Sequence, residues 1–196
     1  MFTEIRSSLR PTFTLLIAFT AILGLGYPLL ITGVAQVAMP VQANGSLIRE
    51  GDRVVGSELI GQNFTGEGYF HPRPSAAGGG YDASASAASN LAPGSKDLAD
   101  RIDASVKEFR AQGATEKLPA DIVTTSASGL DLHISPESAL IQVNRVAKAR
   151  GLQPDAVKAI VVKQVEKPLL GFLGEPRVNV LLLNRQIDRE SAKQAL

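Results

Sequence analysis

The chain contains no cysteine in its 196 residues. Disulfides, thiolate zinc sites and cysteine nucleophiles are therefore excluded. The compartment is not fixed by this, since a cysteine-free domain folds on either side of a membrane. Histidine is nearly absent too. His71 and His133 stand far apart, so a metal site would have to draw on carboxylates for its other ligands, and no metal ligand is assigned. A net charge of +1 creates no field suited to nucleic acid, and no nucleic-acid partner is expected. A phosphate-cradling loop is missing as well. Gly78-Gly79-Gly80 leads into Tyr81, and Gly94-Ser95-Lys96 lacks the rest of G-x-x-x-x-G-K-[ST].

Charge is also lacking locally. No charged residue lies between Pro11 and Ile48, and Phe13–Val34 reads FTLLIAFTAILGLGYPLLITGV. About 22 residues at about 1.5 Å each give roughly 33 Å of helix, enough for a hydrocarbon core of about 30 Å. A backbone in lipid must satisfy its own hydrogen bonds, so a lone span has to be helical. Pro28 removes one of those bonds and predicts a kink. Gly24, Gly26 and Gly33 are small enough to let a neighbouring helix approach closely. A cleaved signal peptide is the rival reading, with Val41-Gln42-Ala43 as a passable cleavage site. The run is longer than such a peptide needs and continues uncharged past it, so an anchor is expected. Arg6 and Arg10 precede the span, and no cation follows it before Arg49. The bias of cations towards the cytoplasm then puts residues 1–11 inside as a stub, the span at 12–36, and residues 37–196 outside the cytoplasm.

The remainder predicts one soluble α+β domain with about three helices and a small sheet. Gly45–Arg49 and Arg53–Gly56 flank Glu50-Gly51-Asp52 as a small hairpin. Residues 69–94 form a long loop whose Tyr69, Phe70, Tyr81 and Arg73 are unusual in a mere spacer. Ser95 caps a helix running to about Gln112, with Leu98, Ile102, Val106 and Phe109 on one face. Its polar side offers Asp97/Arg101 and Asp103/Lys107 as ion pairs one turn apart. Ser135-Pro136-Glu137 opens a second helix with an apolar stripe of Leu140, Val143, Val146 and Ala147, ending at Gly151. A third starts near Pro154 and buries Val157, Ile160 and Val161. Pro176–Asn184 predicts a core strand, and Arg185–Leu196 a short exposed helix.

Ser126, Ser128, Asp131 and His133 invite comparison with a hydrolytic triad. Asp131 and His133 are two residues apart and could meet if extended, but the serines lack the G-x-S-x-G elbow and no oxyanion-hole segment is apparent. A helix entrance is the preferred reading, and no catalytic residue is assigned. The alternative function from the residues alone is a membrane-tethered extracytoplasmic serine hydrolase using Ser128 and His133.

Several segments, in order, resemble one family. RSSLRPTF and GYPLL are followed by GSLIREGDRVVGSELIGQNF, GYFHPRPSAA, SNLAPGSKDL, TTSASGLDLHISPESA, RVAKARG and GEPRVNVLLLN. Together they resemble the C subunit of the Kdp-type potassium-transporting ATPase, from near residue 8 to about residue 185. The tail and the stretch around Ala77–Ala85 depart from the usual wording. The resemblance implies an accessory, non-catalytic subunit of a high-affinity potassium uptake complex in the bacterial inner membrane. Its partners would be a channel-like potassium-translocating chain, a P-type ATPase chain, a small membrane subunit and the lipid bilayer. The chain has neither a D-K-T-G phosphorylation motif nor a TVGYG-like filter, in keeping with such a role. It would stabilise the assembly and, as a catalytic chaperone, raise the ATP affinity of the P-type chain. ATP acts at the complex, and no cofactor of its own is expected. The family's implied nucleotide contact falls on Gln142, which otherwise reads as a polar position on an amphipathic helix. With the domain outside, Gln142 could not meet cytoplasmic ATP, so any such effect would pass through the membrane helices. Gly24, Gly26, Tyr69, Phe70 and Arg73 are the expected partner contacts.

Overall fold

A computed structural model describes residues 2–114 and 117–194. The chain divides into two compact units, Met1–Val55 and Gly56–Leu196.

In the first unit, α1 (Phe2–Phe19) passes without interruption into a π-helical stretch (Thr20–Gly26) and then α2 (Tyr27–Ala38). Glu4–Ala38 is the one described helix long and apolar enough to cross a membrane, and none of its apolar window is buried within the chain. At 35 residues it would reach about 52 Å, so the ends extend past a hydrocarbon core of about 30 Å. Arg6 and Arg10 lie near the start of the helix. The disturbance expected at Pro28 takes the form of a widened turn. Proline has no N–H for the carbonyl four residues back, and its ring crowds that carbonyl, here Gly24. Shifting to bonds spanning five residues, as Tyr27 N–H makes to Ile22 O, sets the carbonyls back and makes room. A single turn, α3 (Pro40–Ala43), follows.

The hairpin appears as β1 (Leu47–Glu50) and β2 (Arg53–Ser57), which carries the chain into the second unit. There the elements are α4 (Lys96–Ala111), α5 (Ala120–Val123), β3 (His133–Ile134), α6 (Pro136–Arg150), α7 (Pro154–Lys163), β4 (Val165–Glu166), β5 (Arg177–Asn179) and α8 (Val180–Gln194). The sheet is antiparallel in the order β3-β5-β4, with Ile134 and Val165 both opposite Val178. The mixed α+β class follows from this arrangement. One core joins the sheet to α6, α7 and α8, with Val146, Val157, Val161, Val178, Leu183 and Ile187 at its centre.

Caps explain the helix starts. Ser95 Oγ accepts from Leu98 N–H, and Ser135 Oγ from Ser138 N–H. Gly151 closes α6 at φ 65°, a left-handed turn that glycine takes without penalty. Four expectations need correction. The strand foreseen over Pro176–Asn184 stops at Asn179, because Asn179 Oδ1 accepts from Leu182 N–H and so opens a helix. The tail is therefore the continuation of α8, with Val180, Leu181, Leu183, Asn184 and Ile187 buried, instead of a separate exposed helix. Ala195 and Leu196 of that foreseen tail lie outside the described residues. On α6 the buried stripe runs through Ala139, Gln142, Val143 and Val146, while Leu140 is exposed. On α4 the ion pair formed is Lys96 with Asp100, and Arg101 instead reaches Thr125 Oγ1 at 3.2 Å.

Candidate functional site

Between β2 and α4 the chain runs from Glu58 to Ser95 without a named helix or strand. Its backbone polar groups need partners that are not in a ladder of its own. Two buried side-chain amides supply them. Asn184 of α8 accepts from Phe70 N–H (2.7 Å) and donates to Phe70 C=O (2.9 Å). Gln142 of α6 does the same for the next residue, accepting from His71 N–H (2.8 Å) and donating to His71 C=O (3.1 Å). Each amide acts as a neighbouring strand would, one residue at a time. Between them the Phe70 side chain is fully buried in the core.

Arginines extend the clamp. Arg145 donates to Glu67 C=O and to Gln142 Oε1, both at 2.7 Å. Arg150 donates to Gly68 C=O and pairs with Asp188, also at 2.7 Å. Its guanidinium lies 4.4 Å from the centre of the Tyr69 ring, within range of a cation–π contact. Burial holds the Arg145 guanidinium below its ordinary pKa, with Glu67 opposing. Burial, reinforced by Arg145, also lowers the His71 pKa.

Farther along, Arg73 donates to Asp131 Oδ2 (3.0 Å) and to Asp121 C=O (3.2 Å). The Tyr81 hydroxyl sits 3.0 and 2.9 Å from the carbonyls of Arg73 and Asp131. Burial and then Asp131 push the Tyr81 pKa well above its ordinary value. Asp121 accepts from Ser135 N–H and both the Ser135 and Ser138 hydroxyls, tying α5 to the start of α6. Arg73, Asp121, Asp131 and His133 are among the residues that line an open cleft of about 1180 Å³.

These positions revise the roles expected from sequence. Phe70 is a core residue and offers no surface to a partner. Tyr69 and Arg73 are half-buried and engaged within the domain. Gln142 is 3 % exposed, so it is not a solvated polar position, and its amide is committed to His71, Ser138 and Arg145. Gly24 and Gly26 lie in the π-helical stretch, exposed, where an added Cβ would meet nothing nearer than 3.7 and 3.5 Å. The triad does not assemble. Ser128 Oγ contacts Ser126 Oγ and Leu130 N–H, whereas His133 Nε2 faces Glu166 at 3.8 Å. Burial and then Arg177 lower the His133 pKa, with Glu166 and Asp131 opposing. Among the described residues no cluster of three or more His, Asp or Glu could hold a metal ion.

Asn184, Arg145, Arg150 and Asp121 escaped the sequence reading. The first had a usable signal: Asn184 follows Val180 and precedes Ile187 at helical spacing, an amide set on an apolar stripe.

The arrangement defines a class: a protein with, among its described residues, one helix long and apolar enough to cross a membrane, and an α+β domain that clamps a long loop across two helices. Residues 9–189 match the family described as K+-transporting ATPase, c chain (KdpC). A potassium-transporting ATPase KdpC subunit of Caulobacter vibrioides is 56 % identical over 183 residues, 93 % of each chain. That of Allorhizobium ampelinum is 52 % identical over 189 residues, 96 % of this chain and 99 % of the relative. That of Bradyrhizobium diazoefficiens is 50 % identical over 197 residues, 94 % and 98 % respectively. The chain belongs to the KdpC family and is a potassium-transport ATPase subunit associated with the membrane.

Proposed function

We propose that the chain is a non-catalytic accessory subunit that holds an ATP-driven potassium uptake complex of the bacterial inner membrane together. Its partners are the channel-like potassium-translocating chain, the P-type ATPase chain and the small membrane subunit. The observation that carries this reading is the contrast between the two units. The span presents an entirely exposed apolar surface with small residues at its widened turn, suited to a neighbouring helix. In the domain, Gln142, Arg145, Arg150 and Asn184 are spent on its own loop. Arg6 and Arg10, which lie before the span, support an orientation with the domain outside the cytoplasm.

An effect on ATP affinity then passes through the span, by its binding two states of the transporter unequally. Gln142 acts in this reading as the clamp of His71 and not as a nucleotide contact. The test is co-purification in detergent. In Gly24→Leu with Gly26→Leu each added Cβ makes only ordinary contacts within the helix itself, so loss of the channel-like and P-type chains from a variant that still inserts reports the interface. Recovery of the complex at the wild-type level would overturn the docking role. Protease cleavage of the domain in intact spheroplasts checks the orientation, and protection there would reverse it.

A further inference from the structure

The turn between β4 and β5 is built as an apolar point. Pro168-Leu169-Leu170-Gly171-Phe172-Leu173-Gly174 carries no polar side chain. Leu169, Leu170, Phe172 and Leu173 are 70, 76, 73 and 50 % exposed. Scattered exposed apolar residues are ordinary, but four large ones gathered on one turn mark a contact site.

Four backbone amides of the point bond within it. Leu169 and Leu173 exchange both N–H···O=C bonds, at 3.1 and 2.9 Å. Gly171 N–H and Phe172 N–H bond back to Pro168 and Leu169 C=O. Chain that enters an apolar medium has to satisfy its own amides in this way.

The turn also carries strain in favour of an apolar side chain. Leu170 has φ 56° and Gly171 φ 82°. Two successive residues at positive φ are the place for Asn-Gly, not for leucine, whose Cβ is crowded there. An asparagine would relieve the backbone, yet the sequence puts a leucine there and exposes it. Strain held at one exposed residue points to use of its side chain.

From these features we infer that the 168–174 point dips into the headgroup region of the membrane in which the chain is anchored. Protein interfaces carry about one hydrogen bond per 100–200 Å², and this point has no side chain able to make one. Lipid requires none. Lys163 and Lys167 lie just before the point and are exposed, as is Val162 beside them. Their ammonium groups can reach anionic headgroups while their stems lie along the apolar layer. After the point, Arg177 is paired with Glu166 at 2.9 Å. The inference rests on the span lying in lipid and is independent of which side the domain occupies.

The sequence has no tryptophan, so Phe172→Trp in the full chain gives a single reporter. The variant is reconstituted into phosphatidylglycerol–phosphatidylcholine vesicles, and flotation first establishes that the span is inserted. A blue-shifted emission, quenched by brominated lipid and sheltered from iodide, is the expected result. Adding Leu170→Asn should abolish that quenching without lowering the urea midpoint, because the change eases the turn. Floating protein whose emission stays red and iodide-accessible would overturn the inference. So would a blue shift that arises only when the channel-like and P-type chains are co-reconstituted, since the point would then occupy a protein socket. Retained quenching in the Leu170→Asn variant would overturn it as well.

Discussion

Gln142 and Asn184 each spend one amide on one residue of the loop, and both are almost wholly buried. Truncating Gln142 to alanine strands His71 N–H and C=O in the interior, along with one Arg145 donor. A buried polar group left without a partner costs about 1–3 kcal/mol, so Gln142→Ala should lower stability by that order in urea denaturation. A nucleotide contact would instead leave the midpoint alone and weaken ATP affinity at the complex. The histidines add a pH dependence of known sign. His71 and His133 both titrate below their ordinary value when folded, chiefly through burial. The unfolded chain therefore binds protons more readily. Their contribution is fully present above a pH of about 6.5, the unfolded value, and is lost as the pH falls through the lower folded values. The urea midpoint should drop between about pH 7.5 and pH 5, and His71→Gln should make that drop smaller.

At the scale of the element, Asn179 decides where strand becomes helix. Its Oδ1 caps α8 through Leu182 N–H, while its Nδ2 donates to Glu58 C=O at 3.0 Å. Asn179→Ala removes both, and loss of the cap alone costs about 0.5–2 kcal/mol. Asn179→Asp keeps the cap acceptor and loses the donor, so its denaturation midpoint should fall between wild type and alanine. The same residue shows why reading the sequence failed here. Val178 to Leu183 is rich in apolar residues, and a short apolar run does not separate strand from buried helix by period alone. The cap that breaks the tie is a single asparagine within the run. Elsewhere local chemistry was sufficient. Ser95 and Ser135 announced α4 and α6, and the uncharged run announced the span. The clamp was not legible in the same way, because Phe70 finds Asn184 across 114 positions and His71 finds Gln142 across 71. No local pattern encodes such a pairing.

Across the whole molecule, the two units are different kinds of object. The first carries a helix of 35 residues, uncharged from Pro11 onward, with no buried window. The second contains a core of its own, with Val146, Val157, Val161 and Leu183 shut off from solvent. A chain beginning at residue 44 should leave the membrane fraction on carbonate extraction and still unfold cooperatively by circular dichroism. It should also fail to co-purify with the channel-like and P-type chains, if the span supplies the principal hold. Retention of those chains by the shortened form would move the interface to the domain.

The placement of Asn184 has a consequence for how the chain is made. Synthesis runs from the amino terminus, so Phe70 leaves the ribosome long before the side chain that must grip it. Until α8 has emerged, the middle of the domain has no fastening at that point, and nascent chains halted short of residue 184 should be open to proteases that spare the finished product. Completion of the last helix thus acts as the latch on a fold begun more than a hundred residues earlier.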